Sequence, residues 1–369
     1  MTPRERLLQT LRRRPHDRVP LVLEGFLRAR REDVEGIEDG RKREVAERVF
    51  EQSHFYVPCN TAVNRYLVTP NQRIREVSRT RRGGDVEVTT RIDTPAGPLT
   101  AVTRRDATTH TWWTTKYPVE SLEDVEKIRS VPWELPAGVE PPDLSNVPAD
   151  FERRGIVRAA VSSPFVCVAG MMPYQYFLEL CATHFELIRE LTAVCLERIL
   201  AVLDAVLAGG RVEYVWMGGS EWLTPPMGSP RLYQALVHEF ERPVIDRVHE
   251  AGALCHVHCH GNTRSTIESV IARGADLFEP VEPPPDGDIT MADAKAVTAG
   301  RMVLGGNVEA RILENEDAAA VEAATRAAFD GGKQHMVLRT TAGPIGRMTE
   351  RMRTNYHRLI DVWEELSAL

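Results

Sequence analysis

The sequence contains no Cys-x-x-Cys pair, and its six cysteines in 369 residues are too few for the disulfide framework of a small secreted domain. No apolar stretch is long enough to span a bilayer, and the opening Met1-Thr2-Pro3-Arg4-Glu5-Arg6 lacks the apolar core of a signal peptide. The expectation is a cytoplasmic chain with no membrane partner. No surplus of basic residues exists either. Lys and Arg number 46 against 53 Asp and Glu, a net charge of −7, and they are scattered apart from short runs such as Arg12-Arg13-Arg14 and Arg79-Thr80-Arg81-Arg82. Nucleic acid is therefore not expected as a partner. The G-x-G-x-x-G fingerprint of an open dinucleotide-binding sheet follows none of the predicted strands, which weakens a doubly wound fold.

What is present is a repeated alternation of short β-branched apolar runs with longer helical stretches. Eight such runs read as strands: Leu21–Phe26, His54–Asn60, Ile156–Ser163, Tyr214–Gly219, Leu254–His260, Asp276–Val281, Met302–Asn307 and Met336–Thr341. Helices are predicted over Tyr174–Leu207, Ser229–Ala251, Thr263–Arg273, Met291–Thr298, Asp317–Phe329 and Met348–Ser367. Eight βα units predict an α/β fold, a (β/α)8 TIM barrel formed as one domain over residues 1–369. Residues 63–148 break the rhythm. There Asp85–Ile92, Pro98–Thr103 and Thr108–Thr115 alternate with period two around Thr94-Pro95-Ala96-Gly97, which predicts an inserted antiparallel ribbon able to lid one end of the barrel.

Chemistry concentrates in Cys255-His256-Val257-His258-Cys259-His260-Gly261. Alternate residues of a strand share a face, so His256, His258 and His260 point one way and Cys255, Val257 and Cys259 the other. His258 and His260 lie nearest the C-terminal strand end, where reacting groups of barrels collect, and are the expected pair of metal ligands. Two imidazoles fill half of a tetrahedral shell. The neighbouring loops supply Glu221 and Glu282 as expected carboxylate ligands or general bases, with His256 as a further catalytic candidate. Glu279 reads as a buried polar filler or a partner to a histidine, and Asp286 and Asp288 as caps of the helix beginning near Thr290. Tyr174, Gln175, Asn307 and Arg339 are candidates for lining a substrate pocket, Arg339 as an anion contact or as half of an ion pair inside the barrel.

The order of several short motifs resembles the uroporphyrinogen decarboxylase superfamily, which includes corrinoid-linked methyltransferases. The motifs are Arg4-Glu5-Arg6-Leu7-Leu8 followed by Asp17-Arg18-Val19-Pro20, the Thr94-Pro95-Ala96-Gly97 turn, Pro118-Val119-Glu120-Ser121-Leu122-Glu123-Asp124, the stretch from His258 to Asn262, and Gly305-Gly306-Asn307-Val308. The resemblance implies a barrel with its pocket at the C-terminal strand ends. In the methyltransferase branch a His-x-Cys pair and a later cysteine hold zinc. His258 matches that histidine, His260 stands in place of the cysteine, and Arg339-Thr340-Thr341-Ala342-Gly343 occupies the place of the later one. The expected function is a metal-dependent methyltransferase with zinc as the ion, its cysteine ligands replaced here by a harder His and carboxylate shell, acting on a small methylated substrate with a cobamide on a separate partner protein. The alternatives are a decarboxylase or lyase of a carboxylated small molecule, with Arg28, Arg30 or Arg339 as anchors, and a non-catalytic binding barrel. Oligomeric state is left open.

Overall fold

The computed structural model describes residues 1–62, 73–107, 112–344 and 346–369. Eight strands form one parallel sheet: β1 (Leu21–Val22), β2 (Phe55–Pro58), β7 (Gly155–Ser162), β8 (Tyr214–Gly218), β9 (Leu254–His258), β10 (Leu277–Glu279), β11 (Val303–Gly305) and β12 (Met336–Arg339). Their spatial order is β1-β12-β11-β10-β9-β8-β7-β2. From β2 onward each strand of this sheet pairs with the next, β12 pairs with β1, and the two ends of the order are β1 and β2, the strand sequence of a TIM barrel. Each predicted run overlaps its strand; seven contain it with the ends trimmed, and β7 begins one residue before its run, at Gly155.

An antiparallel sheet of β3 (Ile74–Arg82), β4 (Asp85–Ile92), β5 (Leu99–Arg105) and β6 (Trp112–Lys116) is inserted after β2. The predicted ribbon is therefore present, and it has one strand more than expected. Five of the nine residues of β3 are charged and all but Ile74 are exposed, so no apolar alternation marks it in the sequence. Of the predicted segment Thr108–Thr115, residues 108–111 lie outside the described residues.

Two predicted helices are interrupted. Tyr174–Leu207 divides into Tyr174–Thr183 and Phe185–Leu207 at His184, which leaves the helical conformation at φ −137° and ψ 47°. Ser229–Ala251 becomes Pro230–Tyr233, a π-turn over Gln234–His238 and Glu239–Glu250, which contains Pro243. Proline removes a backbone donor and crowds the preceding turn, so the wider π-turn just upstream is where the helix adapts. Thr290, rather than Asp286 or Asp288, caps Met291–Thr298, its side chain accepting from the Asp293 amide. Asp286 pairs instead with Arg311, and Asp288 accepts from the Arg264 amide.

Inside the barrel, the period of two stacks side chains in layers. The lowest layer is Val22, Tyr56, Ile156, Tyr214, Leu254, Leu277, Val303 and Val337, packed on Leu7, Leu8 and Leu11 of the helix Pro3–Leu11. That helix plugs the N-terminal end. It starts at a capping box in which Thr2 and Glu5 satisfy each other's backbone amides, with proline at its first turn. Two residues further along, the same inward positions become Glu24, Arg158, Trp216, His256, Glu279, Gly305 and Arg339. Apolar floor gives way to charge within one layer.

Candidate metal centre

β9 and β10 pair in register, with His256 opposite Leu277 and His258 opposite Glu279. This sets the Glu279 carboxylate between two imidazoles. Its Oε1 lies 2.7 Å from His256 Nε2 and 2.6 Å from His258 Nδ1, while Oε2 lies 3.5 Å from Arg339 Nε. Arg339 Nη2 continues to Glu24 Oε1 at 2.5 Å. Gly305 makes room for this packing: a Cβ there would meet the Glu279 Cβ at 2.5 Å and the Arg339 Cδ at 3.0 Å.

Burial opposes the Glu279 charge, but Arg339 and the two imidazoles outweigh it and hold the carboxyl well below the usual range. Burial also dominates at His256, only 1% exposed, and lowers its pKa to about 4 against the pull of Glu279. His256 is thus neutral at physiological pH. Its Nδ1 shares a 2.5 Å hydrogen bond with the Tyr214 hydroxyl, while Nε2, although close to Glu279, has no aligned hydrogen-bond partner. A buried neutral imidazole with one nitrogen fixed by a phenol and the other 2.7 Å from a carboxylate has the outer contacts of a metal ligand in place. Donor atoms of His256, His258 and Glu279 all lie within 4.8 Å of one another, and among the described residues no other group of three or more His, Cys, Asp or Glu converges so closely. Two imidazoles and one carboxylate are ordinary ligands of zinc and of harder divalent ions, so the donor set fits.

The expected set of His258, His260, Glu221 and Glu282 does not converge in this way. β9 ends at His258, and His260 lies beyond it, bonded through Nδ1 to Glu282 Oε1 at 2.8 Å. The second Glu282 oxygen accepts from the Gly261 amide at 2.6 Å. Burial opposes the His260 charge, but Glu282 outweighs it and raises the pKa. Glu221 stands in the turn Ser220–Leu223 with a buried Oε2 that has no hydrogen-bond partner. Cys255 and Cys259 are buried in the core outside the barrel, as alternation requires.

A cavity of about 380 Å³ opens over the centre, lined among others by Glu24, Tyr56, Arg158, Trp216, His256, His258, Glu279 and Arg339. Trp216 lies against His258 with ring centroids 5.3 Å apart. Of the expected pocket residues, Arg339 lines this cavity but is committed to Glu24 and Glu279. Tyr174 bonds to the Trp222 carbonyl and Gln175 is exposed, and neither is in the lining. Asn307 is buried and donates to Glu309. Arg28 bonds to the Leu27 carbonyl and Arg30 is exposed, so neither reaches the cavity. Sequence reasoning missed Tyr214, Trp216 and Arg158; the available signal was their inward phase on otherwise apolar strands.

Glu309 also escaped notice. It is 6% exposed, and burial together with the Glu282 charge pushes its carboxyl up to about 7. The folded state therefore keeps a proton that the unfolded chain loses near 4.5. The resulting stabilisation is complete below that value and is lost as pH rises through 7. Glu309→Gln, which stays neutral, should gain on the wild type by on the order of 1 kcal/mol between acid and alkaline ends of that window. Urea unfolding at several pH values checks this, and a gap that shrinks with rising pH contradicts it.

Barrel, inserted ribbon and a rim of buried His and Glu define a class of α/β-barrel proteins with the site at the C-terminal strand ends. Residues 115–345 match the uroporphyrinogen decarboxylase (URO-D) family model, and the chain belongs to that family. A methyltransferase from Methanosarcina mazei shares the fold over 99% of this chain and 99% of its own, with a TM-score of 0.59 and 15% identity. A B12-independent methionine synthase from Shewanella sp. W3-18-1, in complex with selenomethionine, aligns over 82% of this chain and 78% of its own, with a TM-score of 0.41 and 11% identity. No curated protein matches the chain in sequence.

Proposed function

We propose that the chain is a metal-dependent methyltransferase of the corrinoid-linked type, acting on a small methylated substrate, with zinc as the ion and His256, His258 and Glu279 as the residues that hold it. The observation that supports this most is the convergence of two imidazoles and one carboxylate at the floor of a cavity, with His256 buried and held at Nδ1 by Tyr214. When bound, the ion supplies Lewis acidity toward the substrate heteroatom. Tyr214 orients His256 through Nδ1. Arg339, itself anchored by Glu24, keeps Glu279 ionised and in place. Trp216 and Tyr56 supply the apolar wall that limits water around the reacting groups. His260, paired with Glu282 at the rim, is held more readily in its protonated form by that carboxylate. The cobamide is carried by a separate protein in this reading.

The test is spectroscopic. Purified protein is mixed with reduced cobalamin and, in turn, methylamines, methyl thioethers and methoxylated aromatics, and formation of methylcobalamin is followed. The expected result is transfer from one of these classes, lost on chelation and restored by zinc. Transfer that survives complete chelation contradicts the metal role. Decarboxylation is the second reading, favoured by the family and by a guanidinium in the same cavity; release of carbon dioxide from a carboxylated compound, indifferent to chelator and cobalamin, would establish it.

A further inference from the structure

Two guanidiniums line the cavity, and they are not equivalent. Arg339 is held between Glu24 and Glu279. Arg158, at an inward position of β7, lies over the Tyr56 ring at 4.3 Å from its centroid and forms no ion pair among the described residues. Its charge is felt locally: it contributes to lowering the His54 pKa and opposes the rise at Tyr56 and Tyr214. A half-buried charge without a counter-ion is costly in a protein interior. An aromatic face offsets part of that cost but leaves the donor fork of the guanidinium unused.

We infer that Arg158 is the anion anchor of this cavity and that its substrate carries a carboxylate. The inference rests on the reading of this cavity as the substrate site, and it holds for either reaction considered above. A planar guanidinium receives a carboxylate through two parallel hydrogen bonds, which fixes orientation as well as charge. Glu24 and Glu279 already balance the two guanidiniums of the cavity in number, so a dianion such as phosphate is opposed more strongly than a singly charged carboxylate. With the carboxylate on β7, the remainder of the substrate runs past Trp216, on the neighbouring strand β8, toward His256 and His258 on β9. Arg158 is thus a binding and orienting residue rather than a reacting one.

Isothermal titration provides the test, using the full chain as purified and again after chelation. Acetate, butyrate and benzoate are each compared with the neutral amide of the same shape, and inorganic phosphate is the competing anion. At least one carboxylate should bind more tightly than its amide by about tenfold or more, the size of losing one charge-assisted fork. Arg158→Gln should abolish that preference, Arg158→Lys should keep part of it, and chelation should leave it in place. The inference is overturned if no pair shows a preference, if Arg158→Gln keeps it, or if phosphate binds more tightly than every carboxylate. The comparison of acid with amide in the wild type needs no variant to fold. A preference that disappears on chelation yet survives in Arg158→Gln would transfer the anion to the metal centre, overturning the role of Arg158 while leaving the proposed function standing. A preference that depends on Arg158 in a protein without metal-dependent transfer would do the reverse.

Discussion

Replacing Glu279 by alanine should cost about 3–5 kcal/mol of folding stability, because it strands a buried guanidinium without its main inner partner. Arg339 has a side chain 7% exposed, and after the change only Glu24 would remain to it. His256 and His258 would lose the same carboxylate. Glu279→Gln keeps the volume and removes the charge, so its loss should be of the same sign and smaller. Urea unfolding at pH 7 reads both values. A loss below about 1 kcal/mol for the alanine variant, the size of an exposed ion pair, would mean that the network is solvated and replaceable. The alanine variant should also lose tight metal binding, since one of three converging donors is gone.

The second large effect is expected at His256. On the proposed reading, His256→Ala should remove the ion and lower methyl transfer by about 10²–10³-fold or more, the scale of losing a fixed electrostatic stabiliser at the reacting atoms. Tyr214→Phe provides the graded comparison. It deletes only the hydroxyl that shares a hydrogen bond with His256 Nδ1, so metal affinity should fall by about 10–100-fold while three donors remain. Measured dissociation constants for zinc in the two variants separate a ligand from the group that orients it. Equal losses in both would indicate disruption of the barrel interior rather than of a coordination shell.

The barrel was legible because strands that are largely buried on both faces, β2 excepted, leave apolar runs, and the helices between them carry their own periodicity. The ribbon strand β3 was not, because a strand exposed at all but its first residue has no apolar face to report. At the site, strand alternation placed His256, His258 and His260 on one face, but it could not rank the carboxylates. Loop glutamates Glu221 and Glu282 were preferred because they follow strand ends, whereas the partner of the histidines is set by the β9–β10 register, which matches His258 with Glu279. Register between neighbouring strands leaves no trace in a single sequence. Arg158 went unread for a related reason: an isolated charge in the run Gly155–Ser162 has meaning only once its inward phase and its lack of a carboxylate partner are known.

Where an ion binds decides the proposed function. Crystals of the protein loaded with zinc, measured at the zinc absorption edge, should show one anomalous peak between His256 Nε2, His258 and Glu279, with Tyr214 still bonded to the outer nitrogen of His256. No peak at full zinc loading, or a peak held by His260 and Glu282 with Glu279 left to Arg339, would contradict it.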